Sequence, residues 1–168
     1  SGGPRGHAGD PERLLDDLEA FRLAAARYLP EPFFLLGHSM GGTLVAAYGI
    51  RHHPPVRGII LSGALIRRKW QPDPLRRLIL NLAGRLMPGH TFPFDIYRAE
   101  NGRSLPVRPE TRDPLTHDRI SGGLYLLLEK MGSLLQESAL EGIPLLSIHG
   151  EKDPITDPEA AAAFTRRS

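Results

Sequence analysis

At residues 33–42 the chain reads FFLLGHSMGG: a short apolar run, then a serine in the pattern Gly-x-Ser-x-Gly, then the opening of an amphipathic segment. An apolar run this short, bounded by Pro32 and Gly37, suits a buried parallel strand over 33–37. From Met40 to about Arg51, Leu44, Val45 and Tyr48 recur at helical spacing until His52-His53-Pro54-Pro55 stops them. A strand that passes straight into a helix continues most simply through a right-handed crossover to another parallel strand. VRGIILSG (56–63) and PLLSIHG (144–150) supply those strands. Upstream, Asp10 is placed to cap a helix over 11–29, with Pro11 first and Glu12 in the first turn. Leu14, Leu15, Leu18, Phe21, Ala25 and Leu29 form its apolar face, and Pro30 and Pro32 end it. Asp157 and Pro158 open a last, alanine-rich helix. The expected class is α/β, a parallel sheet flanked by helices.

Residues 64–142 break that rhythm, where a crossover needs only about a dozen residues. Asp73 and Pro74 begin a helix carrying Leu75, Leu78, Ile79, Leu82 and Leu86 on one face. A second helix is expected over roughly 120–139, with Ile120, Leu124, Leu127, Leu128, Met131 and Leu135 inward. Between them lies a stretch rich in Pro, Gly and Arg (88–118). An insertion of this size suits a helical cap or lid. The chain divides into a core segment 1–63, a cap 64–142 and a second core segment 143–168.

Bulk composition narrows the function. The 168 residues make one domain by size, 40% hydrophobic and 24% charged, as in an ordinary globular protein. With 21 Lys and Arg against 19 Asp and Glu, the charge is too balanced for a nucleic-acid binder. The absence of cysteine excludes disulfides, thiolate metal sites and cysteine nucleophiles. No apolar run approaches the ~20 residues of a membrane helix and no signal peptide is visible, so a cytoplasmic location is expected. The chain opens on Ser1 rather than Met, which points to a missing N-terminus.

Ser39 is the candidate nucleophile. A serine hydroxyl needs a base to remove its proton, and it must stand exposed where an ester can approach. A strained strand-to-helix turn projects it above the sheet. Gly37 and Gly41, two residues to either side, relieve the crowding, and Gly42 allows the helix to pack close. The Met40 N–H, at the helix N-terminus, is placed to receive a developing oxyanion. Two aspartates compete for the role of acid in HGEKDPITDPE (149–159). Asp157 is accounted for as a helix cap, whereas Asp153 has no such local duty and lies beyond the carboxyl end of a strand. Asp153 is therefore assigned.

GHSMGG, followed by a cap and then HGEKDPITDP, resembles the monoglyceride lipase and lysophospholipase (serine aminopeptidase S33-type) branch of the α/β-hydrolases. SGGPRGH and LLDDLEAF resemble the segment upstream of that family's nucleophile elbow, and DPLTHDRIS (113–121) resembles the far side of its cap. The resemblance implies a serine ester hydrolase acting on single-chain lipids or similar small esters, with no cofactor. Ser39 attacks, Asp153 orients a histidine, the Met40 N–H forms half of the oxyanion hole, and Gly37, His38 and Gly41 complete the elbow.

The family's order is Ser, Asp, His, yet no histidine follows Asp153. His38 lies within the elbow. His149 stands beside the acid loop but in the wrong place to reach both Ser39 and Asp153. His52 and His53 close a helix and form no metal site, His90 and His117 fall in the cap, and His7 is read as structural. The chain is thus expected to be an internal fragment, lacking the first strands with the second oxyanion donor and the histidine, and nearly inactive alone. A thioesterase, perhydrolase or acyltransferase shares the same motif, and a non-catalytic binding module is the alternative outside catalysis. A small ester or lipid is the expected partner, with no nucleic acid. Arg76, Arg77 and Arg85, opposite the apolar face of 74–86, suit weak contact with an anionic membrane surface, against the plainer reading of a solvated cap face.

Overall fold

The structure, a computed structural model, describes residues 5–8, 10–30, 32–69, 72–93 and 119–168. In chain order its elements are α1 (Pro11–Ala25), β1 (Phe34–His38), α2 (Met40–His52), β2 (Gly58–Ser62), α3 (Pro74–Leu86), β3 (Thr91–Pro93), β4 (Arg119–Ser121), α4 (Gly122–Glu137), β5 (Leu145–Ile148) and α5 (Pro158–Arg167). They fall into two compact units, residues 10–70 with 128–168 and residues 1–9 with 71–127. The borders at 70/71 and 127/128 lie inside the stretch 64–142 read from the sequence as an insertion, and the border at 9/10 lies outside it. The later part of α4 belongs with the sheet, where Gly132 meets the Ile66 carbonyl so closely that a Cβ would stand 2.6 Å from it.

In the sheet unit, β1, β2 and β5 run parallel in that order, Phe34 opposite Gly58 and Ile60 opposite Leu146. Their carboxyl ends therefore share one edge of the sheet. Strand side chains alternate between faces. Leu35, Ile59 and Leu61 are buried, while Phe34, Leu36, Leu146 and Ile148 on the other face are exposed. The sequence suggested a strand buried throughout; instead β1 alternates, and one sheet face presents apolar side chains.

Helix α2 lies close because its packed residues are small. Ala46 and Ala47 are fully buried, and a Cβ on Gly49 would come within 2.7 Å of Ile59. Helix α1 starts as expected, with the Asp10 carboxylate accepting from the Glu12 N–H. It ends at Ala25, four residues short of the expected Leu29, and Phe21 and Leu29 point to solvent. The inward stripe runs through Leu15 and Arg22, seven residues apart. Arg22 forks onto Glu19 (Nε to Oε2 2.9 Å, Nη2 to Oε1 3.0 Å), and the Tyr48 hydroxyl of α2 donates to the same carboxylate. A buried guanidinium takes the place that Phe21 was expected to fill. It is tolerable there because it is paired bidentately.

In the other unit, α3 crosses the start of α4 at two glycines. A Cβ on Gly122 would lie 2.8 Å from the Gly84 Cα. Helix α3 therefore buries Gly84, and Leu75, Leu78, Ile79, Leu82 and Leu86, read as one apolar face, are all exposed. Strands β3 and β4 pair antiparallel, Phe92 opposite Ile120. Within 88–118, the stretch rich in Pro, Gly and Arg, 91–93 is strand, and 94–118 lies outside the described residues. Only 119–121 of the DPLTHDRIS motif is described. Its Ser121 is fully buried, donates its N–H to the Gly6 carbonyl (2.8 Å) and holds His7 Nδ1 at 3.0 Å. His7 is thus a structural contact of this unit. No helix among the described residues is long and apolar enough to cross a membrane.

The Arg22 and Tyr48 hydrogen bonds lower the Glu19 carboxyl from its ordinary 4.5 to about 2. A carboxyl depressed on folding contributes stability above its unfolded value and loses it as pH falls through the folded one. The acid limb of urea-unfolding stability between pH 4.5 and about 2 is therefore expected to be shallower in Glu19→Gln than in the parent. Parallel urea titrations of the two proteins across that range check this; superimposable acid limbs would show that the cluster carries no such linkage.

Candidate active site

Ser39 joins β1 to α2 with φ 51° and ψ −120°. Among the described residues, Ser39 and His53 are the non-glycine residues with positive φ. Such a backbone costs roughly 1–3 kcal/mol unless its surroundings impose it. Here they do. The Ser39 N–H donates to the Ser62 carbonyl (2.9 Å), and the Ser39 carbonyl accepts from the N–H groups of Gly42 (3.0 Å), Leu65 (3.1 Å) and Thr43 (3.3 Å). A serine at a helix N-cap ordinarily bonds its hydroxyl to the first turn. Ser39 makes no such side-chain cap bond.

The glycines around it are not equivalent. A Cβ on Gly37 would sit 2.7 Å from the Gly42 Cα and against the Gly41 carbonyl oxygen. A Cβ on Gly42 would sit 2.8 Å from the Ala64 Cβ. Gly41, expected to relieve crowding, would carry a Cβ into open space. The steric demand falls on Gly37 and Gly42, because it is the Gly41 carbonyl, not its α-carbon, that packs beneath Gly37. Met40 begins α2, where its N–H lies at the positive end of the helix. His38 ends β1, its Nδ1 3.2 Å from the Ser62 hydroxyl.

The second arm of the site follows β5. Asp153 Oδ1 accepts from the Ile155 N–H (2.8 Å) and the Thr156 N–H (3.0 Å), and Oδ2 accepts from the Thr156 hydroxyl (2.7 Å). Asp153 was expected to have no local duty. It has one, closing the turn that carries Thr156. Burial pushes its carboxyl up, but the Thr156 and Ile155 hydrogen bonds outweigh that and hold it below the usual carboxylate range. Asp157 caps α5 as expected, accepting from the Glu159 N–H (2.9 Å). Its Oδ2 also takes Arg67 Nε at 2.7 Å. Burial raises its carboxyl, and the Arg67 hydrogen bond reverses the effect. The Arg67 carbonyl accepts from the Asp157 N–H (3.0 Å), fastening the loop to the segment after β2.

Between the two arms stands Gly63, at the end of β2 with φ 51°. A Cβ there would lie 3.7 Å from His38 Cε1 and 3.8 Å from Asp153 Oδ2. Glycine leaves this gap open, with Asp153 Oδ2 at its edge. The sequence reading missed Gly63, Ser62 and Thr156. Thr156 carried a signal, since an aspartate three residues before a threonine is a turn pattern. Gly63 carried none beyond its place after a strand.

The remaining histidines are placed as follows. His149 Nε2 lies 3.5 Å from Asp153 Oδ2. His52 stacks on Tyr48, His90 meets Phe92 edge-on, His53 terminates α2 in a left-handed conformation, and His117 is outside the described residues. Among the described residues no group of three or more His, Asp or Glu is arranged to hold a metal.

A family model described as serine aminopeptidase, S33 matches residues 1–168. The chain is 32% identical over 158 residues to the monoacylglycerol lipase of Mycolicibacterium smegmatis, a match covering 91% of this chain and 56% of the relative. It therefore spans little more than half the length of that curated relative. Among solved structures, the monoacylglycerol lipase of Paleococcus ferrophilus superposes with a TM-score of 0.79 at 24% identity, over 98% of this chain and 63% of that one. A soluble variant of monoglyceride lipase from Saccharomyces cerevisiae, in complex with a substrate analog, gives a TM-score of 0.69 at 23% identity, covering 96% and 58%. At these identities the structures speak for the fold, and that fold is the α/β-hydrolase one. With strand, turn, helix and acid loop in this order and the family model matched over all 168 residues, the chain belongs to the serine aminopeptidase S33 family and is an α/β-hydrolase similar to monoglyceride lipases.

Proposed function

We propose that this chain carries the nucleophile and the acid of a serine ester hydrolase acting on monoacylglycerol, lysophospholipid or similar carboxylic esters through an acyl-enzyme. The observation that carries the reading is Ser39 itself: a strained turn whose backbone groups are all engaged and whose hydroxyl is not spent on capping. Ser39 Oγ attacks the ester carbonyl. The Met40 N–H, aided by the α2 dipole, donates to the resulting oxyanion. Asp153 Oδ2 orients the general base from across the gap at Gly63. A histidine that these 168 residues do not supply takes that gap, since none of the seven follows Asp153. The lipid substrate is favoured by the similarity to the Mycolicibacterium monoacylglycerol lipase.

In the intact protein, a fluorophosphonate is expected to label Ser39, and Ser39→Ala is expected to abolish both labelling and ester turnover, leaving at most the ~10³–10⁴-fold residual typical of a broken triad. Turnover retained in Ser39→Ala overturns the reading, and a protein that never labels is a binding module. The 168-residue chain alone should hydrolyse a chromogenic short-chain ester only at background; ordinary esterase rates would contradict the external base. A panel of monoacylglycerol, lysophospholipid and acyl thioester separates the lipase from thioesterase and acyltransferase chemistry.

A second reading concerns α3. Leu78 (63% exposed), Leu82 (55%) and Leu86 (71%) form an open apolar stripe, flanked by exposed Arg77 and Arg85, and no acidic residue lies within the helix. That charge pattern suits an anionic lipid surface. Vesicle sedimentation should show several-fold more of the intact protein bound to vesicles containing phosphatidylglycerol than to phosphatidylcholine alone, less of it in high salt, and less for Leu78→Asp/Leu82→Asp. Equal sedimentation with and without vesicles would end this reading.

A further inference from the structure

The acid loop contains a buried polar chain that the proposed reaction does not by itself require. His149 follows β5, with its side chain 8% exposed. Its Nε2 lies 3.0 Å from Thr156 Oγ1, and Thr156 is 2% exposed. Thr156 Oγ1 in turn lies 2.7 Å from Asp153 Oδ2. Among the described residues, His149 Nδ1 is buried and meets no hydrogen-bond partner.

Counting protons orders this chain. An ionised carboxylate only accepts, and a threonine hydroxyl has one proton and two lone pairs. At 2.7 Å from Asp153 Oδ2, the Thr156 proton must point at that oxygen, since two oxygens facing each other without a proton would repel. Thr156 Oγ1 is then an acceptor toward His149, so Nε2 carries the imidazole proton. Nδ1 is left as a bare lone pair. A buried acceptor without a partner is better tolerated than an unpaired N–H, which agrees with the same tautomer. Proton donation thus runs one way, from His149 Nε2 to Thr156 Oγ1 to Asp153 Oδ2, the oxygen bordering the gap at Gly63.

We propose that Thr156 and His149 are positioning residues for the acid: His149, as its Nε2–H tautomer, turns the Thr156 hydroxyl onto Asp153 Oδ2 and fixes the plane in which that carboxylate presents itself to the general base. The inference rests on the serine-hydrolase reading for its catalytic meaning but not for its geometry. His149 is accordingly a supporter of the acid rather than the missing base. The carboxylate is held from two directions. Backbone N–H groups take Oδ1, and the Thr156 hydroxyl takes Oδ2.

The test uses the intact protein. Long-range ¹H–¹⁵N spectra of histidine-labelled protein should show His149 as the neutral Nε2–H tautomer; an Nδ1–H tautomer overturns the proposal without any variant. In ¹³C-aspartate spectra, the Asp153 titration should move upward in Thr156→Val, which keeps the shape and loses the hydroxyl, and return in Thr156→Ser. Turnover should fall about tenfold in kcat with KM little changed in Thr156→Val, because the group orients the acid and does not touch substrate. His149→Gln, which retains an N–H donor, should stay closer to wild type than His149→Leu. An Asp153 titration unmoved in Thr156→Val overturns the proposal. The tautomer and the titration do not depend on Ser39, so failure of the relay and failure of the serine reading, seen as turnover retained in Ser39→Ala, are told apart.

Discussion

Strand β1 and helix α2 meet closer than side chains allow, and this contact governs the geometry around Ser39. Gly37 lies against the Gly41 carbonyl and the Gly42 Cα, and Gly42 lies against Ala64, so three segments converge with no room for a Cβ. The turn between them is compelled to a positive φ. Once it is adopted, every backbone group of Ser39 is engaged, its N–H by β2 and its carbonyl by α2 and the segment after β2. What is left over is the hydroxyl. Ala46, Ala47 and Gly49 continue the same close approach along α2.

The acid loop is secured by a different kind of force. It carries little apolar weight of its own, and polar pairing holds it instead. Arg67 fastens Asp157 and accepts its N–H, the Lys69 N–H donates to the Ile155 carbonyl (3.0 Å), and Asp153 closes its own turn. Both aspartates therefore serve the backbone. The distinction that matters is where their second oxygen looks. That of Asp157 is occupied by an arginine, while that of Asp153 takes only the small Thr156 hydroxyl and also borders Gly63.

Much of this was legible in the sequence. Punctuation residues were the best guides: Asp10 and Asp157 cap the helices they precede, and Gly37 and Gly42 mark the close contact. Apolar periodicity was less reliable, because it reports that a face is apolar without saying what covers it. Phe21 was assigned inward, but the buried position went to Arg22, whose guanidinium is paired by Glu19. The leucines of α3 were taken for one face, as they are, yet the crossing glycines Gly84 and Gly122 bury a different side of that helix. Gly63 acts only through neighbours distant in sequence and reads as no pattern, whereas the Asp153–Thr156 turn pattern does not disclose that the Thr156 hydroxyl serves Asp153 Oδ2.

Ser39 also sits in tension with the fold that presents it. Glycine adopts a φ near 51° at little cost, and a serine that forgoes its capping bond gains nothing for the helix it opens. By the ordinary preferences of residues for backbone shapes, this is a position where serine is a poor choice. A population of variants selected for resistance to heat alone would drift away from it. If Ser39 is the nucleophile proposed above, the hydroxyl at residue 39 is a place where durability and chemistry ask for different amino acids.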